Sequence, residues 1–282
     1  MTINQQQSLA LGRHINIEFY GCSHEILLDK NRLNSILVDA AQKSGATVIS
    51  SSFHHFTPQG VSGVVIIAES HFTIHTWPEH DYAAVDMFTC GDRIDFNIAI
   101  KTVSQDLESK HTQISSDQNR GLISRQTLDI NATQDPDQAP AGSQPDSTFV
   151  PPTREPVSWE MDFEQARPWG LTASVDIYGC AAGIIDTPEK IASFTDRLLD
   201  KIGAPPLEPC RVTPQKEDEQ STGITMTRTA QDALISGHFI PVSGAVYLDL
   251  TLRRFYESRE TAEFALSVLK GSSYRLQVGY RR

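Results

Sequence analysis

Cysteine is scarce: Cys22, Cys90, Cys180 and Cys210 are the four in 282 residues, and no two stand in CxxC spacing. That excludes a disulfide scaffold for a chain this long and reads as free thiols in a reducing compartment. Apolar runs are short as well. None approaches the roughly 18 residues of a membrane-spanning helix, so no membrane partner is expected. The opening MTINQQQSLALGRH has neither the cationic start nor the apolar stretch of a signal peptide. A cytoplasmic protein is expected, which makes the Asn131-Ala132-Thr133 triplet a chance match. Positive charge is also in deficit: 24 Lys and Arg against 35 Asp and Glu give a net charge of -11. Nucleic acid is thereby excluded as the main partner, because phosphate recognition rests on clustered Lys and Arg.

With 39% hydrophobic residues, the length allows two domains of about 100 to 150 residues each. Between residues 106 and 157 the composition turns to Ser, Gln, Asp, Pro and Thr, as in TQDPDQAPAGSQPDSTFVPPTREP, with almost no apolar periodicity. This stretch reads as a disordered linker between a domain at 1–105 and another at 158–282.

The flanking halves repeat each other. Ile15, Ile17 and Phe19 alternate as a half-buried strand into Tyr20-Gly21-Cys22; Ala173, Val175 and Ile177 do the same into Tyr178-Gly179-Cys180. An amphipathic helix follows each strand, over Leu33 to Ala41 and Ile191 to Ile202, and each closes in Gly-Ala. Further on, Gly60 and Gly223, Ser62 and Thr225, His75 and His238, Pro78 and Pro241, and Asp86 and Asp249 all lie 163 residues apart. A second helical pattern ends each half, near Ile94 to Val103 and Arg259 to Leu269. The order predicts an α+β fold: two repeats of an antiparallel sheet with helices on one face, pairing as an α/β/β/α sandwich.

Chemistry concentrates in FHHFTPQGVSGVVIIAESHFTIHTWPEHDYAAVDMFTCG, residues 53–91. Val64 to Ala68 reads as a buried strand that delivers Glu69, Ser70 and His71 at its polar end. Alternation puts His71, Thr73 and His75 on one face of the next strand. Ser62, Ser70, His75 and Cys90 are expected to cluster at neighbouring strand ends. Taken singly, each has a plain reading: Ser70 a turn serine, Cys90 a small buried hydrophobe, Trp77 packing. His54 and His55 lack a third ligand at usable spacing, so no metal is expected.

The segment GVSGVVIIAESHFTIHTWPEHDYAAVDMFTCG, together with the opening LGRHINIEFYGC, resembles the short bacterial and archaeal S-adenosylmethionine decarboxylases over residues 11 to about 105. The resemblance implies self-cleavage between Glu69 and Ser70. The Ser70 hydroxyl attacks the Glu69 carbonyl, and the ester eliminates to leave a pyruvoyl cofactor at position 70, so that one precursor gives a small and a large subunit. It further implies that His75 and Ser62 assist processing, and that the pyruvoyl carbonyl forms a Schiff base with S-adenosylmethionine. By the same resemblance Cys90 returns a proton to the α-carbon, Phe56 stacks on adenine, and Glu79 meets the ribose. The implied pathway is spermidine synthesis.

The second half resembles the family weakly. Opposite Glu69, Ser70 and Cys90 it has Asp232, Ala233 and Arg253, so it offers no cleavage hydroxyl. In the short enzymes two chains pair around the active sites; here the second half takes the partner's place and supplies walls, with His238 a candidate pocket residue. The linker does not force pairing within one chain, and a homo-oligomer stays open. Two other functions remain: a pyruvoyl decarboxylase of ornithine or arginine, and a non-catalytic partner of a decarboxylase.

Overall fold

The computed structural model describes residues 12–56, 59–90, 93–120, 159–181, 183–217 and 221–281. Residues 121–157 of the expected linker, with the Asn131 triplet, lie outside them.

The first repeat opens with β1 (Gly12–Tyr20), α1 (His24–Leu28) and α2 (Lys30–Lys43). It continues through β2 (Val48–His55), β3 (Val61–Ile67), β4 (Ser70–Trp77), β5 (Tyr82–Cys90), α3 (Phe96–Asp106) and β6 (His111–Arg120). Its six strands form one antiparallel sheet in the order β2-β3-β4-β5-β1-β6. The second repeat runs α4 (Trp159–Ala166), β7 (Gly170–Tyr178), α5 (Pro188–Ile202), β8 (Arg211–Glu217), β9 (Ser221–Thr229), β10 (Ala233–Ile240), β11 (Ala245–Leu252), α6 (Ser258–Leu269) and β12 (Ser273–Arg281). Its sheet reads β8-β9-β10-β11-β7-β12, the same order strand for strand. The register repeats too. Ser62 faces His75 as Thr225 faces His238, and Thr73 faces Asp86 as Ser236 faces Asp249.

Local signals start and stop the helices. The Asp29 side chain accepts from the backbone N–H groups of Asn31 and Arg32, and Asp95 does the same for Asn97 and Ile98. Thr187 and Pro188 open α5, and Gly203 closes it in the left-handed region at φ 64°. Strand alternation then sorts the side chains. Ile15, Ile17, Val65, Ile67, Phe72, Ile74, Val85 and Met87 join Leu33, Leu37, Ala40, Ala99 and Val103 in a core between sheet and helices. A matching core lies on the outer face of the second sheet. The inner faces meet each other, for example where Val64 and Ile66 touch Leu234. The expected α/β/β/α sandwich is the observed one. Among the described residues no helix is long and apolar enough to cross a membrane.

The linker boundary needs correction. Residues 111–120, read as part of the disordered stretch, form β6 and pair along the whole of β1. HTQISSDQNR carries one apolar side chain because β6 is an edge strand. Ile114 is 50% exposed, and backbone bonds to β1 rather than side-chain burial hold the segment.

Charge is concentrated between the sheets. Arg120, which ends β6, reaches into the second repeat: Nε donates to Asp176 Oδ1 at 2.7 Å, and Nη1 to the Asp249 carboxylate at 2.7 and 2.8 Å. Arg281, which ends β12, reaches the other way, donating to Glu18 Oε1 at 2.6 Å and to Asp86. The two arginines are 2% and 1% exposed, so all of these charges are desolvated. Removing one member of such a cluster strands the others. Arg281→Met is expected to lower stability by about 3–5 kcal/mol, read from the urea midpoint. A loss below about 1 kcal/mol would mean that Glu18 and Asp86 do not depend on Arg281 for neutralisation.

Candidate active site

Ile67 pairs with Ser70, so Ala68 and Glu69 are the two-residue loop between β3 and β4. Such loops favour Gly or Asn, whose φ can be positive. Neither loop residue takes that conformation; Ser70 does, at φ 147°, a region that side chains avoid at a cost of about 1–3 kcal/mol. The bond between residues 69 and 70 thus joins a loop of the wrong composition to a strained serine.

Both sides of that bond are held. The Glu69 carbonyl oxygen accepts from the Cys90 backbone N–H at 2.7 Å, and the Ala68 N–H donates to the Thr47 carbonyl at 2.8 Å. The Glu69 carboxylate accepts from the Thr47 N–H at 3.1 Å. Ser70 is fully buried, and its Oγ lies 3.2 Å from His71 Nδ1. On the other side of the ring, His71 Nε2 is 2.9 Å from Ser236 Oγ in the second repeat, with Asp249 Oδ2 at 4.0 Å. Burial, reinforced by the Arg120 charge, lowers the His71 pKa to about 4, against the opposing pull of Asp249. At neutral pH the ring is an uncharged base.

Cys90 ends β5 directly beyond this point. It packs with Phe88, Ala245 and Tyr247, beside Tyr178 and Ile240. His238 presents its ring to Phe88 at a centroid distance of 6.4 Å, and its Nδ1 lies 3.2 Å from Thr225 Oγ1. Two buried hydroxyls nearby, Thr89 Oγ1 opposite Ser70 and the Tyr247 phenol, have no hydrogen-bond partner among the described residues. An unmade buried hydrogen bond costs about 1–3 kcal/mol, so each is a group that a carbonyl or a substrate could satisfy.

The remaining expected residues are elsewhere. Ser62 and His75 do pair, Oγ to Nδ1 at 2.7 Å, but His75 is five residues along β4 from Ser70, about 16 Å at 3.3 Å per residue. The expected cluster of Ser62, Ser70, His75 and Cys90 is therefore two groups at opposite ends of one sheet. Spacing by two places residues on a common face and says nothing of distance along it. Phe56 and Glu79 fall at the far end with Ser62 and His75, and there they face Arg253 of the second repeat: Glu79 Oε1 accepts from Arg253 Nη2 at 3.3 Å, and the guanidinium carbon stands 5.8 Å from the Phe56 ring centre. His71, Ser236 and Tyr247 were not among the expected site residues. The sequence carried a signal for two of them: the alternation that carries His71 inward with His75, and the 163-residue offset that matches Ser236 to Thr73; Tyr247, matched to Ala84, had none.

A sequence model of the family described as S-adenosylmethionine decarboxylase matches this chain twice, over residues 13–120 and 171–282. The chain belongs to that family. The S-adenosylmethionine decarboxylase proenzyme of Clostridium tetani is 58% identical over 101 residues, 36% of this chain and 80% of its own. That of Clostridium kluyveri is 50% identical over 123 residues, covering 44% of this chain and 96% of itself, so it is about one repeat long. A crystal structure of the adenosylmethionine decarboxylase from Aquifex aeolicus shares 34% identity over 42% of this chain and 97% of its own, at a TM-score of 0.38. Among S-adenosylmethionine decarboxylases, this chain therefore carries the family's unit twice, where the Clostridium kluyveri protein is about one unit long.

Four buried histidines, spread over both ends of the sandwich, give the fold a pH signature. Burial is the largest cause that lowers His14, His71 and His238 to about 4 and His75 to about 3. In the unfolded chain each titrates near 6.5, so below that pH the unfolded state binds protons the native state refuses. Stability is present above about pH 6.5 and is lost as pH falls towards 4. The urea midpoint should drop between pH 7.5 and pH 5; an unchanged midpoint would show that the native imidazoles titrate normally.

Proposed function

We propose that this chain cuts itself between Glu69 and Ser70 and, with the pyruvoyl group so formed, decarboxylates S-adenosylmethionine. The observation that carries the reading is the scissile bond itself: a strained, buried serine next to a carbonyl already held by the Cys90 N–H at 2.7 Å.

In the first step the Ser70 hydroxyl adds to the Glu69 carbonyl carbon. With its proton on Nε2 and donated to Ser236 Oγ, neutral His71 has a free lone pair on Nδ1 to take the hydroxyl proton. The Cys90 N–H stabilises the oxygen as it gains charge. Collapse breaks the bond from the Glu69 carbon to the nitrogen of residue 70 and leaves an ester, and strain at Ser70 is relieved as its backbone amide is lost. Loss of the α-proton of residue 70 breaks its Cβ–O bond and expels the new C-terminal carboxylate of Glu69; addition of water to the resulting enamine, in its imine form, releases ammonia and leaves a ketone at position 70. The Thr225–His238 pair of the second repeat is the further base at this end, in the part the resemblance gave to Ser62 and His75.

Thr89, opposite Ser70 and without a partner for its hydroxyl, would hold the new carbonyl. The pyruvoyl group supplies an electrophilic carbonyl and an electron sink for the departing carboxylate. Cys90 returns a proton to the α-carbon, and Tyr247 offers its hydroxyl to the substrate's polar end. Since the second repeat of the same chain faces Ser70, one chain is the working unit, and pairing with another chain is not required.

A second reading keeps the cleavage and changes the substrate to ornithine or arginine. Phe56 and Glu79, the adenine and ribose residues of the resemblance, stand at the wrong end. At the Ser70 end the offset replaces Glu79 by Val242, 74% exposed, and Phe56 by Glu219, outside the described residues.

Intact mass spectrometry should give two chains split after Glu69, and Ser70→Ala a single one. Cleavage should slow more in His71→Ala than in His75→Ala, by about the 10²- to 10⁴-fold expected of a proton acceptor; the reverse order would return the processing role to His75. Release of CO₂ from S-adenosylmethionine, ornithine and arginine then separates the two substrate readings.

A further inference from the structure

The two repeats are related closely enough that the Ser70 pocket has a counterpart at the other end of the sandwich. There Ala233 stands for Ser70, and Arg253, one residue beyond β11, stands for Cys90. Arg253 does not point into its own repeat's core. Its Nη1 donates to the Gln59 carbonyl at 2.9 Å, its Nη2 to Glu79 Oε1 at 3.3 Å, and its guanidinium carbon lies 5.8 Å from the Phe56 ring centre and 5.5 Å from that of Trp77. Gly60, at φ 103°, makes room for it, since a Cβ there would stand 2.6 Å from Nη1. Every one of these contacts is with the first repeat.

We propose that this second pocket is a recognition site for an organic cation, kept occupied by the side chain of Arg253. Two aromatic faces, a carboxylate and a backbone carbonyl are the set that binds a guanidinium, an alkylammonium or a sulfonium group. Arg253 supplies such a cation from within the chain and closes the site to free ligands. The side chain is 23% exposed, so a path from solvent to the pocket exists once it is shortened. The Ser62–His75 pair lies at the same end, with the His75 ring centre 6.2 Å from that of Trp77, and after burial and the Arg281 charge the Arg253 charge is a further cause of the lowered His75 pKa. On this reading the Ser70 end is the one left to take a substrate. The inference goes beyond the proposed function and does not depend on which substrate Ser70 serves.

The test is thermal unfolding of Arg253→Ala with and without millimolar ethylguanidinium. The expected result is a saturable rise in Tm in the variant, no such rise in the wild-type chain, and affinity weaker by about tenfold or more in Arg253→Ala/Glu79→Gln, where a charge-assisted hydrogen bond is lost. No response in Arg253→Ala, or the same response in the wild-type chain, overturns the proposal. If Arg253→Ala is recovered only as aggregate, its refolding yield with and without ethylguanidinium gives the same reading: a yield that rises with the cation supports the pocket, and one that does not rejects it. The mass of the cleaved chains in the same samples reports on Ser70 separately, so failure of the self-cleavage reading and failure of this one are distinguishable.

Discussion

Each repeat ends its last strand in an arginine whose carboxylate partners belong to the other repeat, and the arrangement of everything between the sheets depends on this exchange. Arg120 neutralises Asp176 and Asp249; Arg281 neutralises Glu18 and Asp86. Such clusters add little net stability, because desolvation offsets most of the Coulomb gain. Their effect is selective. A slide of one sheet over the other by a single residue would bury six charges without partners. The face-to-face register is thus fixed by electrostatics, while area burial on the outer faces holds each sheet to its helices.

That register decides the composition of the two ends. It sets the Ser70 end against Ser236, His238 and Tyr247, and the His75 end against Arg253. The same fold can therefore furnish its two ends differently, although the backbone treats them alike. The difference comes from single side chains on matched strands: Ser70 against Ala233, Cys90 against Arg253, Ala84 against Tyr247.

Much of this was legible in the sequence. Period-two alternation in β1 and β7, the amphipathic helices and the shared offset gave the repeat and the sandwich. The density of the motif around Glu69-Ser70 pointed to the bond for which cleavage is proposed. Three things were not legible, each for a physical reason. The edge strand β6 was hidden because its side chains are wet and its bonds are backbone bonds. The separation of His75 from Ser70 was hidden because alternation reports a face and not a length. The crossing from the second repeat was legible for His238 through the shared offset, but not for Ser236 or Tyr247, because nothing local in either marks the surface it will meet.

The strand order gives the proposed cut after residue 69 a further meaning. Residues before it supply β1, β2 and β3; those after it supply β4, β5, β6 and the whole second repeat. In the sheet order β2-β3-β4-β5-β1-β6 the smaller fragment contributes the strands at one edge and also β1, wedged between β5 and β6. The two fragments are interlaced like the fingers of two hands, and neither can leave without opening three ladders. Such a cut would free neither fragment, but it would turn refolding from a one-chain into a two-chain reaction. A mature molecule that unfolds must find its lost partner at a rate set by concentration, so the uncut chain has to fold first and react afterwards.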